Sequence, residues 1–212
     1  MDRRFWIIIG VIIAVFVGIF LWSGNKESKE EDTSTAGQAT NHIRGKQDSR
    51  VKLVEYSDFQ CPYCGQYYPI VEQVVEKYKD KISYQYRHYP LSQLHGNAIS
   101  AARASEAASA QGKFWEMYHL IFKNQQSWSE VDNSRTVFEG YATEIGLDIA
   151  KFREDYASSK ANDSINADKR EFNALKLPKS TPTFLLNGKK IQPVSVDEFS
   201  KLIDAELKKQ GQ

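Results

Sequence analysis

The only two cysteines of this chain, Cys61 and Cys64, lie at the junction of a predicted strand and a predicted helix. Residues 51–56 form an apolar, β-branched run that predicts a buried strand with one acid in it, Glu55. Pro62 suits the first turn of the helix that follows, where its missing N–H costs nothing. Two thiols at this spacing can close an intramolecular disulfide, and a helix N-terminus lowers the pKa of the first thiol. The arrangement predicts a redox-active dithiol.

The pattern around this dithiol predicts an α/β fold. The helix continues to about residue 79, and residues 82–87 alternate as a second strand, which completes a βαβ unit. Asn187-Gly188 between two strand-like runs predicts a hairpin, and a capping box at Ser195 begins a last helix. Residues 91–177 have helical spacing without a strand signal, so we predict a helical insertion between the two β-containing parts.

The N-terminus has a different character. Residues 5–22 form an uninterrupted run of 18 apolar or glycine residues, long enough for a helix to cross a bilayer. Arg3 and Arg4 precede the run, so the positive-inside rule places the N-terminus in the cytoplasm and the rest of the chain outside. We predict a cytoplasmic stub and single-pass anchor at 1–22. A cleaved signal peptide is the alternative, although Trp22 lies where a cleavage site needs a small residue.

Residues 23–50 have Ile43 as their sole large aliphatic side chain and contain no aromatic residue. Such a segment cannot bury enough surface to fold, so we predict a disordered linker that tethers the folded part to the membrane. The chain has 28 basic and 27 acidic side chains, mixed along its length, and a net charge of +1. This balance excludes the basic surface that nucleic-acid binding requires.

Residues 55–64, with the sequence EYSDFQCPYC, resemble the active-site block of the DsbA-like thiol:disulfide oxidoreductases of the thioredoxin superfamily. Later segments resemble that family's motifs in the same order, namely YRHYPL at 86–91, His95 with Asn97-Ala98, QGKFW at 111–115 and STPTF at 180–184. The resemblance implies a thioredoxin fold at 51–90 and 178–212, with an inserted helical domain at 91–177.

The resemblance also implies roles for individual residues. Cys61 would be the exposed nucleophile and Cys64 the buried resolving thiol. Glu55, in the strand beneath them, would exchange a proton with Cys64, since burial raises the pKa of an acid. Pro182 matches the family's cis-proline beside the cysteines, and Thr181 would present its backbone to an extended substrate peptide.

Phe59, Pro62 and Tyr63 flank the two cysteines. Tyr63 departs from the histidine of the family's strongly oxidising prototype, whose positive charge would stabilise a neighbouring thiolate further. A tyrosine supplies at most a hydrogen bond, so the disulfide is expected to be less oxidising than that prototype's. The direction of electron flow is therefore open.

Three functions are compatible with this sequence. The first is an oxidase on the outer side of the cell membrane that introduces disulfides into reduced secreted or surface polypeptides and is reoxidised by a partner such as a membrane quinone-linked thiol oxidase. The second is a reductase or isomerase of the same fold. The third is a metal-binding protein that uses the cysteines with His88 or His95, although one CxxC supplies only half of a closed zinc site. We favour the oxidase, with no cofactor and no metal ligands.

Overall fold

The computed structural model describes residues 37–211. Five strands in this part form one mixed sheet with the order β1-β3-β2-β4-β5. They are β1 (His42–Gly45), β2 (Lys52–Ser57), β3 (Ser83–His88), β4 (Thr183–Leu186) and β5 (Lys189–Ile191). The central pair, β2 and β3, is parallel, and every other neighbouring pair is antiparallel.

The helices lie at three places along the described part of the chain. Helix α1 (Pro62–Tyr78) connects the parallel strands, and α8 (Val196–Lys209) follows the hairpin of β4 and β5. Six helices occupy the connection between β3 and β4. They are α2 (Ala98–Ser109), α3 (Phe114–Lys123), α4 (Gln125–Trp128), α5 (Ser134–Glu144), α6 (Ile149–Ala157) and α7 (Ser159–Ala174). The predicted α/β sheet with a helical insertion is confirmed.

Local sequence explains the elements that hold the cysteines in place. Val71, Val74, Val75 and Tyr78 recur on one face of α1 and are buried. The Tyr78 hydroxyl donates a hydrogen bond of 2.9 Å to Asp204 of α8, which links the two helices. At the hairpin, Asn187 and Gly188 have φ angles of 49° and 77°, as a tight turn of this kind requires.

Helix α2 is the centre of the insertion and contacts α3, α5, α6 and α7. Its buried face consists mainly of alanines, including Ala101, Ala104 and Ala108. Such small side chains let neighbouring helices approach closely. The alanine-dense sequence therefore allows several helices to pack around a single one.

The prediction of a disordered linker as far as residue 50 is wrong for its second half. His42–Gly45 form β1, which pairs with β3 along the edge of the sheet. Thr40 just before it donates two hydrogen bonds, from its backbone N–H and its hydroxyl, to the buried carboxylate of Asp168 in α7. Backbone pairing and these polar contacts hold a segment that has too few apolar residues to be recognised as folded. Residues 23–36 of the predicted linker lie outside the described residues.

The predicted membrane anchor at 1–22 also lies outside the described residues. Within 37–211, no helix has both the length and the apolar character needed to span a bilayer.

Candidate active site

The two cysteines lie at the start of α1. Cys61 is the N-cap residue, and Pro62 opens the helix as predicted. The Cys61 side chain is only 5% exposed, whereas the neighbouring Tyr63 is 66% exposed. Both thiols are free. The prediction of an exposed Cys61 is therefore wrong for this structure, because the residue is buried at the helix start, and the exposed group there is the Tyr63 ring.

The environment of Cys61 favours its thiolate. A hydrogen bond from the Cys64 thiol is the largest cause that lowers the pKa of Cys61 to about 6 from its ordinary value of 9.0. The Thr181 side chain and the backbone N–H groups of Tyr63 and Cys64 lower this pKa further, and partial burial opposes them. At neutral pH, most of the reduced Cys61 is the nucleophilic thiolate.

Cys64 has the opposite environment. It is fully buried one turn into α1, and this burial raises the pKa of its thiol well above 9.0, with a further contribution from Cys61. The two pKa values are therefore shifted apart within one CxxC motif. When the disulfide opens, the geometry favours a thiolate on Cys61 and a protonated thiol on Cys64.

Glu55 lies in the core, in the middle of β2, with Tyr86 of β3 and Phe184 of β4 as its neighbours across the sheet. Its carboxyl group accepts a hydrogen bond of 2.7 Å from the hydroxyl of Tyr84. Loss of hydration raises the pKa of Glu55 to about 7, and the Tyr84 hydrogen bond only partly opposes this rise. The charge of Glu55 in turn contributes to raising the pKa of Cys64. Near neutral pH Glu55 can therefore gain or lose a proton, whereas the reduced Cys64 thiol keeps its own.

Thr181 and Pro182 approach the cysteines from the segment before β4. The peptide bond between them is cis, as predicted. The Cys61 thiol donates a hydrogen bond of 3.5 Å to the Thr181 carbonyl oxygen. Because β4 pairs with β2, residues that are 120 positions apart in sequence meet at this point.

Phe59 and Asp58 support the loop that leads into α1. The Phe59 ring is buried against Tyr86 and Phe122. The buried carboxylate of Asp58 accepts hydrogen bonds from the backbone N–H of Gln60, the backbone N–H of Leu91 and the ring of His95. Asp58 and His95 are therefore structural residues of the loop.

One residue that contacts this loop was not predicted from the sequence. The side-chain amide of Gln125, in α4 of the insertion, donates hydrogen bonds to the backbone carbonyls of Phe59 and Cys61 at 2.7 and 2.9 Å. A Cβ at Gly65 would lie 2.3 Å from the Gln125 side-chain oxygen, so a larger residue there would displace the Gln125 side chain from its present position. No motif signals this contact, because Gln125 is one of several polar residues between two helices.

A groove of about 750 Å³ lies beside Pro62 on the same surface. Gln66 of α1, Leu94 and Phe122 contribute to its walls. Leu94 is 77% exposed. Most of the other lining residues are polar, so the groove offers a ligand a few apolar contacts within a mainly polar surface.

The cysteines are not part of a metal site with the predicted histidines. Among residues 37–211, the one group of three metal-ligating side chains contains neither Cys61 nor Cys64. His88 contacts Glu106 instead, and His95 contacts Asp58. The metal-binding interpretation of the CxxC motif therefore has no support in the described part of the chain.

Known structures share this fold. Oxidised BdbD from Bacillus subtilis is similar at 22% identity, with a TM-score of 0.70 over 82% of this chain and 97% of that one. Wolbachia pipientis alpha-DsbA1 is similar at 21% identity, with a TM-score of 0.70 over 80% and 92% of the two chains. These likenesses establish the fold of DsbA-like proteins, a thioredoxin fold with a helical insertion.

Curated relatives match a smaller part of much longer proteins. The Na(+)/H(+) antiporter NhaA 1 of Mycolicibacterium gilvum is 40% identical over 151 residues, which are 70% of this chain and 24% of the antiporter. NhaA 3 of Salinispora tropica is 36% identical over 176 residues, 80% of this chain and 26% of that protein. This chain thus spans about a quarter of the length of these relatives.

The family model described as thioredoxin matches residues 37–205, which include β1 and the whole insertion. Family membership and the CxxC pair, with one activated and one buried thiol, both indicate thiol–disulfide exchange. The chain belongs to the thioredoxin family and has the DsbA-like fold.

Proposed function

We propose that this protein is an oxidase that introduces disulfide bonds into secreted or surface polypeptides. The observation that carries the proposal is the contrast between the two cysteines. Cys61 is the N-cap of α1 and receives hydrogen bonds that lower its pKa to about 6, whereas Cys64 is fully buried one turn into α1, and this burial raises its pKa well above 9.0. A stabilised Cys61 thiolate favours the reduced enzyme, and a stable reduced form makes the disulfide a better oxidant.

The reaction proceeds by two exchanges. A substrate thiolate attacks the Cys61 sulfur of the Cys61–Cys64 disulfide, a substrate–Cys61 disulfide forms, and Cys64 leaves. A second substrate thiolate then attacks the substrate sulfur of this mixed disulfide, and Cys61 leaves as a stable thiolate. The substrate loses two electrons to the enzyme, which becomes a dithiol and needs reoxidation by a partner such as a membrane quinone-linked thiol oxidase.

Glu55 serves as the proton donor and acceptor for Cys64. Cys64 must take up a proton when it leaves because its buried thiolate is disfavoured, and Glu55 has a pKa of about 7. Glu55 returns to its protonated form by exchange with solvent. In reoxidation the same group accepts the proton that Cys64 releases.

An extended substrate peptide binds across Thr181 and Pro182 and continues into the groove beside Pro62. Thr181 lies two residues before β4, and its carbonyl oxygen is 3.5 Å from the Cys61 sulfur. The exposed Tyr63 and Leu94 supply apolar contacts on either side of the cysteines. Such contacts suit unfolded polypeptides, which expose apolar side chains.

The catalytic domain acts outside the cytoplasm, anchored to the cell membrane by the apolar run at 5–22. The sequence supports this location through Arg3 and Arg4 before the run and mixed charges after it. Relatives that match this chain over about a quarter of their own length are named as Na(+)/H(+) antiporters, and a membrane setting for such a domain agrees with that name.

A reductase or isomerase is the second candidate, and Tyr63 is the residue that favours it. The thiolate of Cys61 lacks a neighbouring positive charge at this position, so the disulfide is less oxidising than one beside a histidine. The two functions differ in their redox potential, which decides the direction of electron flow.

The test is the redox equilibrium of the full chain in glutathione buffers, with the free thiols alkylated and counted. The oxidase proposal expects a potential well above that of thioredoxin, about −270 mV. The oxidised protein should also restore activity to a reduced, unfolded disulfide-containing enzyme. A potential near −270 mV would reject the oxidase and support the reductase.

Two variants separate the roles of the cysteines. Cys61→Ser should abolish exchange. Cys64→Ser, mixed with a substrate that already contains a disulfide, should accumulate a Cys61–substrate mixed disulfide, because the Cys61 thiolate attacks the substrate disulfide, a substrate thiolate leaves, and no second enzyme thiol is present to release the complex. Turnover that survives in Cys61→Ser would contradict the assignment of the nucleophile.

A further inference from the structure

A second cluster of chemically active side chains lies away from the cysteines, where β1 and β3 meet the insertion. It consists of His42 in β1, His88 at the end of β3 and Glu106 in α2. Both imidazole Nε2 atoms approach the same carboxylate oxygen, at 2.5 Å for His42 and 2.9 Å for His88. All three side chains are largely buried.

We propose that His42, His88 and Glu106 bind a divalent transition-metal ion of the Zn²⁺ class. Two imidazoles and one carboxylate are a ligand set that zinc accepts, whereas calcium and magnesium require oxygen ligands. Tetrahedral zinc with bonds of about 2.1 Å holds its ligand atoms about 3.4 Å apart. The two Nε2 atoms are now 2.5 and 2.9 Å from the Glu106 oxygen, so each side chain would move outward by less than about 1 Å to reach this spacing.

Metal binding would replace hydrogen bonds that the cluster already makes. Both Nε2 atoms lie at hydrogen-bond distance from the same Glu106 oxygen. A metal ion would take the place of the shared protons between these atoms, and each neutral imidazole would then carry its proton on Nδ1.

Asp168 holds the backbone next to the proposed ligands by hydrogen bonds. Its buried carboxylate accepts hydrogen bonds from the backbone N–H of His88 and from Thr40, two residues before His42. The ring of His42 also stacks on Phe114 with 3.4 Å between the ring centroids. Ligands whose backbone and ring orientation are held in this way lose little freedom when they bind a metal.

An access route and room for a fourth ligand are present. A cavity of about 520 Å³ is lined by His42, Glu106 and Ser109, together with Lys160 and Asp163 of α7. A water molecule from this cavity can complete a three-ligand site. Lys160 opposes the approach of a cation, and Asp163 offsets that charge.

The test is a calorimetric titration of the full chain with ZnCl₂, in a background of Cys61→Ser and Cys64→Ser so that no thiol can bind zinc. We expect one equivalent of zinc to bind and to raise the melting temperature. Glu106→Gln keeps the shape of the side chain, and His42→Gln removes a second ligand. Each should weaken zinc binding at least tenfold, since even the loss of an outer-shell partner costs about 10–100-fold.

The control is His119→Gln, which changes a histidine on α3 outside the cluster and should leave binding unaltered. Binding of Co²⁺ to the protein with Cys61→Ser and Cys64→Ser but an intact cluster provides a readout that does not depend on any variant at the cluster. A tetrahedral cobalt spectrum without thiolate bands supports the site. No zinc binding, tighter binding of CaCl₂ than of ZnCl₂, or a zinc affinity in both ligand variants equal to that of the protein with an intact cluster would overturn the proposal.

Discussion

At the scale of single residues, the site depends on how each titratable group is hydrated. Cys61 is the N-cap residue of α1, and several hydrogen-bond donors approach its sulfur. Cys64 and Glu55 are both buried in the core. The same four-residue motif thus contains a reactive thiol and an inert one. The difference arises from burial and hydrogen bonding, since the two side chains are chemically identical.

We predict that the reduced protein reacts with iodoacetamide in a pH-dependent manner that reports the Cys61 thiolate. The rate should rise with a midpoint near pH 6, where an ordinary thiol would show one near pH 9. In Cys64→Ala the midpoint should move upward, because the hydrogen bond from the Cys64 thiol is the largest cause of the lowered pKa. A midpoint above pH 8 in the unaltered protein would contradict the geometry.

Glu55→Gln should stabilise the protein at neutral and alkaline pH. The pKa of Glu55 rises from 4.5 to about 7 on folding, so between these values the unfolded chain ionises this group while the folded chain does not. As the pH rises through this window, the free energy of unfolding of the unaltered protein therefore falls, and above pH 7 the loss is about 3 kcal/mol. Glutamine does not titrate and retains a hydrogen-bond acceptor for Tyr84.

This prediction is checked by urea denaturation at pH 4 and pH 8. The gain of Glu55→Gln should be near zero at pH 4 and about 3 kcal/mol at pH 8. Glu154→Gln, an exposed position on α6, is the matched control and should show no such difference. Equal gains at both pH values would mean that Glu55 ionises normally in the folded protein.

At the scale of elements, the insertion supports the catalytic loop directly. Helix α4 contributes Gln125 to the carbonyls of Phe59 and Cys61, and Gln60 donates back to the carbonyl of Ser129 just after α4. Asn97, at the start of α2, joins the same network by donating to Ser129 and Val131. The insertion is therefore part of the active site's framework.

Gln125→Ala should destabilise the protein by about 1–3 kcal/mol, because two partly buried carbonyls lose their donor. It should also raise the pKa of Cys61, since the Cys61 carbonyl dipole would no longer be neutralised near the thiolate. The iodoacetamide profile measures the second effect, and urea denaturation measures the first. Gln126→Ala, at the exposed neighbouring position, should change neither. Unaltered values in Gln125→Ala would show that the loop holds its shape alone.

Strand β1 is a second element whose contribution can be measured. A chain that begins at Gly37 retains β1 and the contacts of Thr40 with Asp168, whereas a chain that begins at Val51 loses both. The shorter chain should be less stable by at least about 3 kcal/mol, since the buried Asp168 loses two of its donors. Urea denaturation compares the two. Equal stabilities would mean that residues 37–50 do not stabilise the fold, as the linker prediction supposed.

At the scale of the whole molecule, the proposed arrangement is a single-pass anchor, a tether and an extracytoplasmic catalytic domain. We predict that the full chain sediments with membranes and that a chain from Gly37 does not. In intact cells, a membrane-impermeant maleimide should label Cys61 after mild reduction. Protection of Cys61 would reject the external location, and a mature protein that lacks residues 1–22 would show a cleaved signal peptide.

Local sequence was enough to predict the elements around the cysteines. The strand, Pro62, the helix and the Asn187-Gly188 turn depend on residues that are close together in the chain, so their patterns are visible without a structure. The cis bond at Pro182 was predicted only through resemblance to a family. The strand β1 was missed because its stability comes from pairing with β3 and from Asp168, and its own composition is polar.

The sequence by itself determined the redox chemistry, the α/β class and the place of the insertion, because each is encoded by short-range pattern. Only the tertiary structure brought Gln125 to Cys61 and brought His42 to His88 and Glu106. For Glu55 the sequence predicted burial and a raised pKa, and the structure added the value of about 7. The physical reason is that long-range contacts and loss of hydration depend on how distant segments pack, and no local spacing of residues specifies that packing.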